Sequence, residues 1–236
     1  MLKTVKQTNG YSYELNYGSK LYQKFCHSLL KYIPYIPSNE GYNITISHER
    51  KFIWFRVAKV GTRTIFDMFD QAQIKIDVEH PMACRYPVNL YKDYFKFAFV
   101  RNPWERIVSC WRNKVVDCNY FNFSSEKLEE LQSFEKFVDY VSELDIESCD
   151  HHLRLQSKLI DLNNLDYLGR FENFETHLNE VVELLKVDLK GGIGHKNVST
   201  KNKSSYKDYY NEELKHKVYK IYKRDIDIFA YNFGNE

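Results

Sequence analysis

Phe95-Lys-Phe-Ala-Phe-Val-Arg-Asn-Pro-Trp-Glu-Arg-Ile-Val-Ser-Cys-Trp111 is the stretch that decides the fold. Its first six residues form a short run of aromatic and aliphatic side chains, the signature of a buried strand. Arg101-Asn102-Pro103 then ends the strand. Asn102 can cap a helix, Pro103 suits the first helical position, and Trp104, Ile107, Val108, Trp111 and Val115 recur at helical spacing. A strand that runs directly into a helix is the building unit of a parallel sheet covered by helices. The same unit stands upstream, where Lys51 to Val57 reads as a strand, Ala58 to Gly61 as a tight turn, and Ile65, Met68, Phe69 and Ala72 as a helical stripe. Ile74 to Val78 reads as a weaker second strand.

Downstream, Phe134, Phe137, Val138 and Val141 mark a helix, Leu165 to Phe171 a strand, and Phe174, Leu178, Val181, Val182 and Leu185 the helix after it. A break at Gly191, Gly192 and Gly194 precedes a long closing helix carrying Tyr210, Leu214, Val218, Ile221 and Tyr222 on one face. The expectation is a single α/β domain over residues 1–236, with a central parallel sheet flanked by helices. Residues 1–45, broken by Pro34 and Pro37, are expected to form a lead segment of short helix and loops packed on a core at 50–232.

Charge and composition exclude several classes. The 34 Lys and Arg residues against 32 Asp and Glu leave a net charge of +2, so no overall field draws nucleic acid or a membrane surface, and any anion must be captured locally. The first twenty residues lack the apolar core of a signal peptide, and no window approaches the roughly 20 apolar residues of a spanning helix. A soluble, cytoplasmic protein is expected. Cys26, Cys84, Cys110, Cys118 and Cys149 are odd in number and scattered, which argues against a disulfide framework and a zinc site, and no metal is expected. Sequons at Asn43, Asn122, Asn197 and Asn202 have meaning only for a secreted chain. Oligomeric state and the identity of any acceptor leave no trace in the sequence.

Ligands of an open parallel sheet bind at the carboxyl ends of its strands, where helix N-termini present free N–H groups. Ala58-Lys-Val-Gly-Thr-Arg-Thr64 has the parts of a phosphate cradle there: a glycine that admits an anion, a lysine, two hydroxyls and an arginine. It is not a Walker A loop, which weighs against ordinary phosphoryl transfer. Read alone, it serves as well as a solvated loop. At the second junction Arg101 stands at the strand end, with Ser109 two turns into the helix on its polar side beside Arg106 and Asn113. Such an arginine and serine can grip a phosphate. They can equally cap the sheet edge and sit idle on a helix.

The string Phe97 to Trp111 also resembles the 3′-phosphate-binding segment of the type-2 carbohydrate sulfotransferases, and Arg56-Val-Ala-Lys-Val-Gly-Thr-Arg-Thr64 resembles that family's 5′-phosphosulfate loop. Weaker similarities follow at His151 to Gln156, Leu168 to Phe174 and His195 to Ser199, so the resemblance covers roughly residues 50–232. It departs from the pattern at Ala58, where proline is frequent, and at Arg63, where a small hydroxyl residue is frequent. The resemblance implies a fold of P-loop-kinase type and 3′-phosphoadenosine 5′-phosphosulfate (PAPS) as donor, with 3′-phosphoadenosine 5′-phosphate (PAP) as product and a carbohydrate hydroxyl as acceptor. Lys59 would stabilise the leaving phosphate. Gly61, Thr62, Arg63 and Thr64 would hold the phosphosulfate and Arg101 and Ser109 the 3′-phosphate, while Lys201, Lys203 and Ser204 would close over the donor.

In-line transfer needs a base for the acceptor hydroxyl. His80, in Glu79-His80-Pro81 directly after the expected second strand, is one candidate, with a surface capping residue as the alternative role. His151 and His152 are rivals that would otherwise line the acceptor site with Arg154 and Gln156. Glu172 would orient Arg170 or Lys59, or else mark a helix start. Competing classes are a nucleotide-dependent kinase on the same architecture and a catalytically silent nucleotide-binding module.

Overall fold

A computed structural model describes residues 37–187 and 205–234. Five strands form one sheet in the order β3-β1-β2-β4-β5, where β1 is Tyr42–Ser47, β2 Phe52–Phe55, β3 Val78–Cys84, β4 Phe95–Val100 and β5 Tyr167–Arg170. β2, β4 and β5 are parallel neighbours, whereas β1 is antiparallel to both β2 and β3. Four strands therefore point their carboxyl ends to one edge, and β1 alone runs against them.

The expected wholly parallel sheet is thus a mixed one, for a physical reason in two segments. Tyr42-Asn-Ile-Thr-Ile-Ser47 alternates apolar with polar residues, which reads as a half-exposed stretch, yet all six are buried in the sheet's middle. Part of the expected lead segment is therefore core, and the Asn43 sequon lies inside the sheet. The weak strand placed at Ile74 to Val78 begins instead at Val78 and takes in Pro81. Proline is admitted because β3 is an edge strand.

The helices follow the expected pattern. α1 (Thr62–Gln71) buries Ile65, Met68 and Phe69, and α2 (Pro103–Trp111) starts as predicted, with the Asn102 side chain accepting from the Trp104 N–H and Pro103 at the first helical position. α3 (Ser125–Glu130), α4 (Phe134–Ser142) and α5 (Phe174–Leu184) lead to the closing α6 (Glu212–Phe229). Phe52 of β2 stacks on Phe69 of α1, Trp54 meets Phe66 and Phe69 edge-on, and Phe99 of β4 meets Phe174 of α5, so one sheet face is covered by α1 and α5. At Gly169 of β5 a Cβ would stand 2.4 Å from the Phe99 ring, which only glycine avoids.

Among the described residues the four cysteines are free, and no helix is long and apolar enough to cross a membrane. Lys201, Lys203, Ser204, the segment His195 to Ser199 and the Gly191–Gly194 break lie outside the described residues.

Candidate functional site at the carboxyl edge of the sheet

The strand ends of β2 and β4 build the site. After β2 the chain turns through Lys59, whose φ of 73° is left-handed, and Gly61, whose φ of 85° caps α1. A Cβ at Gly61 would lie 2.7 Å from the Phe174 ring, so the loop is pressed against α5. A non-glycine residue held at positive φ stores strain, a feature that concentrates at functional loops. Thr62 donates its hydroxyl to the Val57 carbonyl at 3.3 Å, while Arg63 is exposed on the first turn of α1.

Lys59 is the centre of the electrostatics. Its Nζ donates to Asn113 Oδ1 at 3.0 Å. Burial pushes the amine down to about 8, and the neighbouring charges of Arg101, Lys114 and Arg63 push the same way. Four cations thus converge on one strand edge. Arg101, the first residue past β4, places its guanidinium carbon over the Phe171 ring, 4.1 Å from its centre, and donates to the Lys59 carbonyl at 3.0 Å and to Glu105 at 2.6 Å. Its Nε is buried with no partner. Ser109 stands half-buried two turns along α2.

Beyond α2 the helix widens into a π-helical turn, Arg112–Val116. Such turns shift the direction of side chains and recur at functional sites. Consecutive residues of this turn reach two places: Asn113 to Lys59, and Lys114 to the Tyr120 ring, 4.0 Å from its Nζ.

Arg106 was expected on the polar side of α2. It is instead 2% exposed, and its guanidinium donates to the carbonyls of Ala58 (3.2 Å), Arg154 (3.0 Å) and His151 (3.0 Å). One side chain thereby ties the Lys59 loop to the His151 turn. Pro103, Arg106 and Cys110 are buried along with the apolar stripe, so α2 is enclosed on nearly every side.

The expected acceptor residues separate. Gln156 is fully buried; its Oε1 accepts from the Arg101 N–H at 2.9 Å and its Nε2 donates to the Arg101 carbonyl at 2.8 Å, so it fixes the end of β4 and does not line a surface. Arg154 is turned onto its own loop, donating to the Cys149 and Ser148 carbonyls. Gln156 departs from the expected acceptor-lining role because its burial requires it to satisfy main-chain groups, and the half-buried Arg154 is engaged with the carbonyls of its own loop.

His151 and His152 pack together beside Tyr120, their rings 4.1 Å apart and His152 edge-on to Tyr120 at 4.7 Å. Asp150 accepts from the His152 main-chain N–H at 2.9 Å and holds its Nδ1 at 2.8 Å, while His151 Nδ1 is 3.8 Å away. Burial, then the adjacent His151, pushes His152 down to about 4, and burial lowers His151 as well. The His152–Asp150 contact is accordingly a hydrogen bond to a neutral ring at pH 7. The ligand atoms of Asp150, His151 and His152 lie within 4.8 Å of one another, a cluster the sequence reading did not anticipate. The charges of Arg106 and Arg154 act on His151, and that of Lys114 on both histidines, and they disfavour a cation there.

His80 is placed differently from expectation. It lies within β3, not after a strand, exposed and level with Phe55 across β1, and its carbonyl accepts from Arg56. The Glu172 carboxylate accepts from the Asn102 N–H and from the Tyr231 hydroxyl, joining the start of α2 to the segment that follows α6.

The Sulfotransferase family matches residues 42–232 of this chain. Among curated proteins, carbohydrate sulfotransferase 11 of Mus musculus is 28% identical over 171 residues, covering 61% of this chain and 49% of that protein. Carbohydrate sulfotransferase 14 of Homo sapiens is 22% identical over 178 residues, covering 61% of this chain and 46% of its own length. The chain spans about half the length of the curated relatives it matches. No solved structure matches it.

Proposed function

Since the chain belongs to the Sulfotransferase family, we propose that it transfers a sulfuryl group from PAPS to a hydroxyl of a carbohydrate. The observation that carries this reading is the convergence of Lys59, Arg63, Arg101 and Lys114 on one strand edge, with the Arg101 Nε buried and unpartnered. So many cations, facing Glu105 as counter-charge, are costly without an anion to receive. A donor carrying a 5′-phosphosulfate and a 3′-phosphate supplies that anion twice.

In this reading the β2–loop–α1 unit is a phosphate loop of P-loop-kinase type. Gly61, Thr62, Arg63 and Thr64 hold the phosphosulfate, Arg101 and Ser109 hold the 3′-phosphate, and Lys201, Lys203 and Ser204, outside the described residues, are the further donor-binding residues that the resemblance implies. PAPS supplies an activated sulfur–oxygen bond. Lys59 neutralises charge on the leaving phosphate, and a histidine, from among His80, His151 and His152, receives the acceptor proton. Relatives named as carbohydrate sulfotransferases support the acceptor class.

Calorimetric titration of PAP against ADP tests the donor assignment. Binding that requires the 3′-phosphate, and that weakens by tenfold or more in Arg101→Ala, is expected, since a charge-assisted phosphate contact contributes on the order of 1.5–3 kcal/mol. Equal affinity for PAP and ADP would sink it.

A further inference from the structure

We propose that His152, its ring held by Asp150, is the residue that takes the proton from the acceptor hydroxyl. The inference rests on the sulfuryl-transfer reading above and assigns the base that the sequence leaves open among three histidines.

Two separate links connect the His152 turn to the Lys59 loop. Along the π-helical turn, neighbouring residues Asn113 and Lys114 hold the Lys59 amine and the Tyr120 ring, and Tyr120 packs on His152 while its hydroxyl interacts with Asp150. From the other side, the Arg106 guanidinium spans from the Ala58 carbonyl, one residue before Lys59, to the His151 carbonyl, one residue before His152.

The ring is also prepared for the task. An ionised carboxylate only accepts hydrogen bonds, so Asp150 at 2.8 Å places the proton of a neutral His152 on Nδ1 and leaves the Nε2 lone pair available. His151 lacks that restraint, with its Nδ1 3.8 Å from Asp150. His80 lies on β3 with β1 interposed, about 10 Å from β2 at ordinary strand spacing. The groups facing His152 are His151, Asp150, Tyr120 and Lys114, with Arg106 and Arg154 behind His151. Burial first, and then His151 and Lys114 against the opposing pull of Asp150, keep the ring neutral before reaction, and the negative charge of the donor favours its protonation on binding.

The step balances. The acceptor oxygen forms a bond to sulfur, the bond from sulfur to the bridging oxygen breaks, and its electron pair stays on the 5′-phosphate beside Lys59. The hydroxyl proton passes to His152 Nε2 and then to solvent.

The test uses PAPS hydrolysis, with water standing in for the acceptor, together with PAP titration and two-bond proton–nitrogen NMR of the ligand-free protein. His152→Gln is expected to slow PAP release by about 100-fold or more. Asp150→Asn is expected to slow it about tenfold or more and to scramble the His152 tautomer, which is Nδ1–H in the unaltered protein. Both variants should still bind PAP. An Nε2–H tautomer, a His152→Gln rate equal to wild type, or a larger loss in His80→Gln than in His152→Gln would each overturn the assignment. Failure of the unaltered protein to bind PAP is a different result, which removes the sulfuryl-transfer reading and this inference together.

Discussion

Lys59 carries a penalty in the free protein that a ligand would relieve. Its amine is pushed down to about 8 by burial first, and then by like charges, whereas an unfolded lysine titrates near 10.4. Below pH 8 both states hold the proton and the folded state bears the full cost. Between pH 8 and about 10.4 the unfolded chain binds more protons than the folded one, so stability rises with pH through that window. Lys59→Met is therefore expected to melt above wild type at pH 7, with the gap narrowing as pH rises to about 10; a gap that widens over that range would contradict the burial of a charged amine. Lys59 and Arg101 were legible in the sequence because each directly follows a strong strand and so must stand at the sheet's carboxyl edge. Asp150, Tyr120 and Lys114 were not. Irregular segments bring Asp150 and Tyr120 in, and a π-helical turn re-aims Lys114, so no periodic pattern announces them. The burial of Arg106 and Gln156 was hidden for the opposite reason: polar residues are read as exposed unless their main-chain partners are known.

The elements differ in how plainly they could be read. β4 and α2 combine an apolar run, an N-cap and a first-turn proline, and all three signals agree with the final structure. β1 and β3 lack such agreement: β1 carries Asn43, Thr45 and Ser47 into a fully buried strand, and β3 admits Pro81 at the edge. The junction of β2 with α1 depends on a single residue type. Gly61→Ala would hold alanine at a φ of 85° and put its Cβ 2.7 Å from the Phe174 ring. The backbone alone costs about 1–2 kcal/mol, and displacement of Phe174 adds to it. A fall in Tm of roughly 5 °C or more is expected, at about 2–4 °C per kcal/mol for a domain of this size. A variant that melts with wild type would show that the loop relaxes freely, and the phosphate-loop reading would lose its rigid cradle.

At the scale of the whole molecule, the strand that runs against the others is the one the sheet cannot lose. β1 pairs with β2 on one side and β3 on the other, so without it β3 has no neighbour and the Tyr42, Phe55 and Tyr86 rings lose their common contact. A chain starting at His48 is expected to lack cooperative thermal unfolding, measured by near-ultraviolet circular dichroism and calorimetry. A sharp transition near that of the full chain would show β1 to be dispensable. The Lys59 loop and the His151 turn also share one planar cation. Because the Arg106 guanidinium is shared by the carbonyls of Ala58, His151 and Arg154, order imposed on the loop proposed to meet the donor would extend to the turn proposed to meet the acceptor. The entropy of arranging that turn would then be spent before the second substrate arrives. Such coupling is reciprocal, so on the proposed reading each substrate would tighten the binding of the other by the same factor.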